Sequence, residues 1–465
     1  MDSVQPPVIT SPAKRRLMVF LKIGGIVLLV ALLHIPLVMT HGVLRERRGY
    51  QQQATEEIAG LWGRSQLVTG PVLAVPYAYK AKVTRTKLAG DRAVQVEEID
   101  LVTSTAYFLP ETLSVDGTVD PELRHRGIYD TVVFTTKLRL AGGFAPDFAA
   151  AGIAAERIDW EKARVLFGVS DLHGLRTVGP LRLGAKEAAF ESTGATLDEI
   201  LPLAAKAEGM IVAGGKVEFA FDVVLQGSER LEIAPLGKTT RATLSSSWVD
   251  PSFVGATLPV ARQVGASGFT AEWASTHFSR AFPQSWTTRT IENAAIAKQF
   301  RPAAFGVRFA QPVDGYSMAE RAQKYGVLFF VLVFAVFFVF EVAAGLAIHP
   351  LQYAIVGAAL CLFFLGFLAL SEFLGTGAAY GVAAGACTLL VALYAWSFLQ
   401  SGARTGIVFA GLGSTYGYLY FVLKSQDYAL LAGTAALFAG LALVMFCTRR
   451  INWYALEAKA GAGAT

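Results

Sequence analysis

Apolar and polar positions divide the chain into two kinds of text. Across residues 325–348, YGVLFFVLVFAVFFVFEVAAGLAI, one charge, Glu341, breaks an otherwise apolar run. A helix rises about 1.5 Å per residue, so a run of this length crosses the roughly 30 Å hydrocarbon core of a bilayer. It predicts a transmembrane helix. Comparable runs occupy residues 17–39, 351–370, 376–399, 405–423 and 428–447, which makes six expected spans, one near the N-terminus and five together at the C-terminal end.

The text between the first and second spans changes period. PVLAVPYAY, DLVTSTAYFL, SVDGTVD, RGIYDTVVFTTKLRLAGGF, KVEFAFDVVLQG and TLSSSWV are short, rich in Val, Phe, Tyr and Thr, and punctuated by Gly, Pro and Asp. Such segments predict antiparallel strands and hence a mainly β domain, a sandwich or two packed sheets. Ala, Leu and Glu at 149–163 and 197–207 predict two helical interruptions. Ahead of the strands, residues 43–67 are polar and helix-compatible, with Ile58, Leu61 and Trp62 on one face, and Gly70-Pro71 is expected to stop that helix. At the far end FGVRFAQPVDGY is strand-like, and Ser317 with Glu320 has the spacing of a capping box that would start a helix running through Lys324 into the membrane.

The fold class expected is therefore a membrane protein with a six-helix transmembrane bundle, one helix plus five, and a large mainly-β periplasmic domain, β-sandwich-like and of α+β class, inserted between helix 1 and helix 2. The segments are 1–16, a cytoplasmic N-terminus; 17–42, transmembrane helix 1; 43–324, the periplasmic domain; 325–348, helix 2; 349–447, helices 3 to 6; and 448–465, a cytoplasmic tail.

Charge orients this arrangement. Lys14, Arg15 and Arg16 precede the first apolar run and, with Arg404, Arg449, Arg450 and Lys459, fall on the cytoplasmic side, as the positive-inside rule requires. The first run is long and lacks a small-x-small cleavage site behind it, so it reads as an uncleaved signal anchor. Arg45, Arg47 and Arg48 fall on the outer side; long exported domains cross regardless of their charge, and the exception is accepted. The net charge of +5 does not signal nucleic acid, because the basic residues are scattered without interleaved aromatics. Cys361, Cys387 and Cys447 all lie in apolar runs, so the polar region has no cysteine to form a disulfide and depends on its core. Rows of small residues, Gly377, Gly381 and Gly385 and then Gly406, Ala410 and Ser414, predict close helix approach in a compact bundle, or else a glycine-lined path.

Candidate chemistry is sparse. Glu341 and Glu372 are the acidic residues in or beside the C-terminal spans. Each is either a carboxylate that knits helices or caps a helix end, or a proton or ligand site. His125, His173 and His277 belong to no ligand pattern such as HExxH, and Ser170, Asp171 and His173 lack a nucleophile elbow. No catalytic, cofactor-binding or metal residue is assigned. Arg124, Arg126, Tyr129, Trp248, Phe253, Trp273 and Arg280 either line a periplasmic ligand groove or partner surface, or divide into core aromatics and strand-end arginines.

Five stretches carry a family resemblance: RRGYQQQATEEIAGLWGRSQLVTGPVLAVPY, LPETLSVDGTVDPELRHRGIYDTVVF, SSSWVDPSFVGATLP with GFTAEWASTHFSRAFPQSW, FGVRFAQPVDGYSMAERAQKYGVLFFVLVFAVFFVFE, and HPLQYAIVGAALCLFFLGFLALSEF. In these the chain resembles the CreD family of inner-membrane proteins associated with cell-envelope integrity in Gram-negative bacteria. The resemblance implies an envelope protein linked to a two-component regulon, with altered tolerance to colicins and β-lactam stress, and supplies no reaction, cofactor or catalytic residue. The expectation is a protein without enzymatic activity whose outer domain binds or scaffolds an envelope component. Its expected partners are the phospholipid bilayer and an envelope lipid, glycan or protein, with a homo-oligomer left open and no nucleic acid. A transport or lipid-handling role around Glu341 is the alternative, and an envelope hydrolase the third reading.

Overall fold

Residues 12–89, 92–192, 201–211, 215–309, 315–344, 348–424 and 429–449 are described by a computed structural model of the chain. Two units are distinguished, 52–312 and the combination of 1–51 with 313–465.

Helix α1 (Pro12–Trp62) runs for 51 residues and contributes to both. Its polar half is continuous with the apolar half because Glu, Gln, Arg and Ala are good helix formers, and because Tyr50 with Glu46, Gln52 with Glu56 and Gln53 with Glu57 are bonded at four-residue spacing. The helix ends earlier than expected. Gly63 takes φ +136°, and a Cβ there would lie 2.7 Å from the Gln226 carbonyl oxygen, so glycine stops the helix and admits the neighbouring strand. Gly70-Pro71 instead lies inside the first strand, where the register shifts between Thr69 and Val72.

In unit 52–312 the strands come in chain order. β1 (Gln66–Ala89), β2 (Arg92–Phe108), β3 (Thr112–Arg126) and β4 (Tyr129–Phe144) are the long ones. Short strands β5 (Arg157–Ile158), β6 (Arg164–Val169), β7 (Leu175–Val178), β8 (Leu181–Leu183), β9 (Lys186–Ala188), β10 (Phe190–Ser192) and β11 (Leu203–Lys206) follow. Next come β12 (Val217–Ser228), β13 (Arg230–Ile233), β14 (Thr239–Ser246), β15 (Pro251–Gly255), β16 (Ala261–Gly265), β17 (Gly268–Thr276) and β18 (Ser285–Thr287), then helix α2 (Asn293–Ala303) and β19 (Phe305–Phe309). They form a ten-stranded sheet, β10-β11-β6-β1-β13-β19-β15 with β2, β5 and β18 attached, and a nine-stranded sheet, β16-β17-β14-β3-β4-β12-β8-β9 with β7 attached.

Strand alternation sets the core. Along β14 every second residue is buried, and β17 shows the same period, so one face of the nine-stranded sheet turns inward. Phe167 of β6 packs edge-on at 5.1 Å against Phe221 of β12, and Phe305 of β19 stacks at 5.6 Å on Trp273 of β17. These rings join the two sheets, as the expected packing of sheets requires.

The helical interruption expected at 149–163 is overturned, and the one expected at 197–207 is overturned over its described residues. At 148–152 the Asp147 carboxylate accepts the Ala149 and Ala150 N–H groups and makes a turn that ends at Gly152 with φ +69°, after which come β5 and a single 3₁₀ turn, Trp160–Lys162. Leu203–Lys206 is a strand between β6 and β10, while 193–200 lie outside the described residues. Alanine's helical preference is worth a few tenths of a kcal/mol, less than the strand pairing and burial gained by Ala204 and Ala205.

In the other unit, α3 (Gly315–Lys324) ends at Tyr325 before α4 (Gly326–Ala344) begins, so the expected uninterrupted helix is two. Then come α5 (Pro350–Ser371), α6 (Thr376–Leu399), α7 (Gly402–Lys424) and α8 (Ala429–Thr448). Among the described residues four helices are long and apolar enough to cross a membrane: α1, α5, α6 and α7. The expectation of close packing at the small-residue rows fails at Gly381, Gly385 and Gly406, where an added Cβ would meet nothing within 4 Å. Helix α6 buries Ala379, Ala383, Cys387 and Val391 instead, and a tight approach falls at Gly357 of α5, where a Cβ would meet the Leu33 side chain at 2.3 Å.

Candidate functional site

The nine-stranded sheet turns its other face outward, and its middle strands carry small residues there. Ser114 of β3 lies opposite Ala141 of β4, which lies opposite Ala220 of β12; one row along, Thr112 lies opposite Gly143. Side chains this short leave the sheet surface low, while longer ones at the margins stand above it. The result is a groove of about 970 Å³, floored by Thr112, Ala141, Gly143 and Ala220 and bordered by Arg139, Arg182, Lys216, Lys238, Glu111 and Glu218. Its volume is at the upper end of small-ligand sites. Of these border groups four are cationic and two anionic, so the rim is net positive.

The rim is held by short-range pairs. Lys238 Nζ lies 3.1 Å from Glu111, and Arg182 Nε donates to Glu187 at 2.9 Å across the β8–β9 hairpin. Arg139 sits in register between Asp116 and Asp222, and a second hollow of about 490 Å³, lined by Asp116, Lys137, Asp222 and Thr243, shares it. At one end of the groove the rings of His277 and Phe278 are tilted against each other with centroids 4.0 Å apart, and Phe278 is 86% exposed. A large aromatic held out in water beside a cationic cleft is a recognition feature.

The seven residues singled out from the sequence do not converge here. Arg124, Arg126 and Tyr129 belong to the β3–β4 hairpin, where Arg126 pairs with Tyr129 across the strands. Arg124 lies 4.5 Å over the Trp62 ring and bonds Glu122 at 2.7 Å, and Arg126 forms an ion pair with Glu57. These arginines fasten the hairpin to the end of α1. Trp273 is 0% exposed in the core, Phe253 meets it edge-on at 5.7 Å, and Trp248 packs edge-on against Phe309 at 6.4 Å. Arg280 lies apart from both groups, 9% exposed, with its guanidinium 4.3 Å over the Phe282 ring.

Ser170, Asp171 and His173 form a structural joint. Ser170 Oγ donates to the Ser65 carbonyl and accepts the Leu67 N–H, while Asp171 accepts the Arg64 and His173 N–H groups. Partial burial works against the Asp171 charge, but these donors and the His173 ring outweigh it and hold the carboxyl below its ordinary range. His125 is paired with Asp130. Among the described residues no three His, Cys, Asp or Glu side chains group as metal ligands.

In the helical unit Glu372 follows the end of α5, 9% exposed at its side chain, accepting from Tyr316 Oη at 3.0 Å with Arg47 Nε at 3.6 Å. Arg48 donates to Ser317 Oγ at 3.2 Å and forms an ion pair with Glu320. The expected capping box is thus overturned: Ser317 lies inside α3, and both side chains turn to Arg48. The bond from Lys324 and then the charge of Arg48 hold the Glu320 carboxyl low against the cost of its desolvation. Glu341 lies in α4, and its side chain is outside the described ones.

The outward polar row of a strand looks like an ordinary solvated face, so the pattern does not announce the groove. One signal was present: Ala141-Gly142-Gly143 ends a long strand with small residues where bulkier ones are usual.

Comparison with known proteins agrees with the helices and the β domain together. The family described as "Inner membrane protein CreD" matches residues 18–454. Inner membrane protein CreD of Escherichia coli (strain K12) is 30% identical over 437 residues, covering 92% of each chain. Among solved structures, an M1 zinc metallopeptidase of Deinococcus radiodurans with a bound Tyr-Ser-Ala substrate aligns at 9% identity and a TM-score of 0.20, over 43% of this chain and 41% of that one. Another M1 zinc metallopeptidase from the same organism aligns at 8% identity and a TM-score of 0.19, over 70% of this chain and 92% of that one. Likenesses at that level carry no argument. The match along nearly the whole length does: this chain is a member of the CreD family of inner-membrane proteins.

Proposed function

We propose that this protein maintains the cell envelope by binding an envelope component in the groove of its nine-stranded sheet, without catalysing a reaction, and that its helices anchor that domain. In this reading there are six spans, both termini are cytoplasmic, and unit 52–312 lies in the periplasm. Lys14 to Arg16, Arg404 and Arg449 support that orientation, and the outer-side Arg47 and Arg48 are each beside a carboxylate. The observation that carries the binding role is the low floor of Ala141, Gly143 and Ala220 between cationic margins.

The test is to fill the floor. Ala220→Trp in the full-length chain is expected to abolish complementation of an envelope-stress defect while membrane levels stay normal. A photo-crosslinker at Ala220 is expected to yield a discrete adduct in intact cells that the same probe at Gly60 does not. Full complementation by Ala220→Trp, with no specific adduct, would remove the groove from the function.

A further inference from the structure

Arg280 carries a charge for which the described residues provide no counter-ion. Its side chain is nine-tenths buried, and Nε and Nη1 are shut away from solvent with no hydrogen-bond partner. The remaining nitrogen, Nη2, donates to Gln284 Oε1, a neutral amide oxygen. That amide is fixed by its other end, since Gln284 Nε2 donates to the carbonyls of Leu109 at 3.1 Å and Pro110 at 2.7 Å. Gln284 therefore cannot turn to serve the orphaned donors. The face of the guanidinium is covered by the Phe282 ring.

Desolvation pulls the Arg280 pKa down to about 10, which still leaves the group protonated at neutral pH. A buried cation with two unmet N–H groups is costly, and such groups in folded proteins are nearly always satisfied by a partner, a water or an ion. Arginine presents fixed donors suited to oxyanions.

The surroundings connect this group to the groove. Arg280 follows the turn His277–Ser279, whose first two residues line the groove's end. The His277 N–H donates to the Lys238 carbonyl at 2.8 Å, and the Lys238 N–H donates at 2.8 Å to Pro110, the same carbonyl that Gln284 holds. Lys238 is itself a rim residue. Arg280 does not itself line the cleft, but it is joined to it by the chain through Ser279 and by the hydrogen bonds from Gln284 through Pro110 and Lys238 to His277.

We propose that Arg280 anchors an oxyanion subsite at the His277–Phe278 end of the groove, taking a phosphate or carboxylate group on its Nε and Nη1 donors. The inference builds on the groove as a binding site and names the charge its ligand carries there. The ligand's oxyanion supplies the acceptors that Nε and Nη1 lack.

The full-length protein in neutral detergent is titrated with inorganic phosphate against chloride at matched ionic strength, following melting temperature and calorimetric binding. Wild type is expected to bind phosphate with a rise in melting temperature, and Arg280→Met to bind it about tenfold more weakly or worse, the loss typical of a charge-assisted contact. Gln284→Glu is expected to abolish the phosphate response, because the new carboxylate becomes the counter-ion, and to lower the melting temperature, because its second oxygen faces the Leu109 and Pro110 carbonyls that the amide had bonded. Vesicles of phosphatidylglycerol are compared with phosphatidylcholine. An Arg280-dependent preference for phosphatidylglycerol assigns the oxyanion to a lipid headgroup, and a phosphate response with no such preference assigns it to a soluble group. A wild type that ignores phosphate, or an equal response in wild type, Arg280→Met and Gln284→Glu, overturns the proposal. Because this readout uses purified protein, it stands or falls separately from complementation by Ala220→Trp.

Discussion

Asp171 illustrates what single side chains do in this chain. Beside Ser170 and His173 it has the composition of a hydrolytic site, yet its oxygens are committed to the Arg64 and His173 amides. Asp171→Asn turns one of these two acceptors into an amide donor facing a backbone N–H and is therefore expected to cost about 1 kcal/mol. The sign with pH follows from the lowered carboxyl. A depressed folded-state value stabilises above the unfolded value near 4 and is lost as pH falls through the folded value, so wild type and variant should differ in melting temperature at pH 7 and converge in strong acid. Glu372 was legible only as an acidic residue just past an apolar run, its role left open. Its partners, Tyr316 and Arg47, lie 56 and 325 positions away in sequence and were not legible. Arg48→Ala is expected to loosen α3 from α1 by removing the contacts to Ser317 and Glu320, read as faster proteolysis within 315–324, and Arg48→Lys to restore part of the protection.

At the scale of elements, strongly patterned segments came through and weakly patterned ones did not. All six strands expected from alternation exist, whereas the alanine-rich segments at 149–163 and 203–206 yielded to turn chemistry and sheet pairing. The length of α1 was visible as two adjoining helical texts, but its stop was not, since only the close approach of Gln226 shows why Gly63 is required. Two substitutions separate local preference from tertiary demand. Gly60→Ala, inside α1 with nothing within 4 Å of the new Cβ, should stabilise by about 0.5–1 kcal/mol. Gly63→Ala should destabilise by about 1–3 kcal/mol, because it strains a positive φ and meets a carbonyl oxygen. Thermal melts of the two variants beside wild type check both signs. The groove escaped for a related reason: its floor comes from three strands, and only their register places Ser114, Ala141 and Ala220 in one row.

For the whole molecule, the division into apolar spans and a strand-rich insert was written plainly, because hydropathy and period two are local properties. Sheet order was not. β1 pairs in parallel with β13, Gln66 against Leu231, and β3 with β14, Thr112 against Thr239, so the decisive neighbours are more than a hundred residues apart in sequence. The proposed orientation predicts that protease added to intact spheroplasts cuts within 52–312 and spares tags at both termini. Shielding of that unit until lysis would reverse it.

Among the described residues β19 (Phe305–Phe309) is the last strand to emerge during synthesis, and it sits between β13 and β15 in the ten-stranded sheet. Until it arrives, the older strands wait with an unfilled slot and bare backbone amides. Long-range pairing of this kind is slow, and open strand edges invite adhesion. A nascent chain released before residue 305 should therefore clump and be degraded, and in the proposed orientation the unit should lean on periplasmic holding factors for the interval between its first strand and its last.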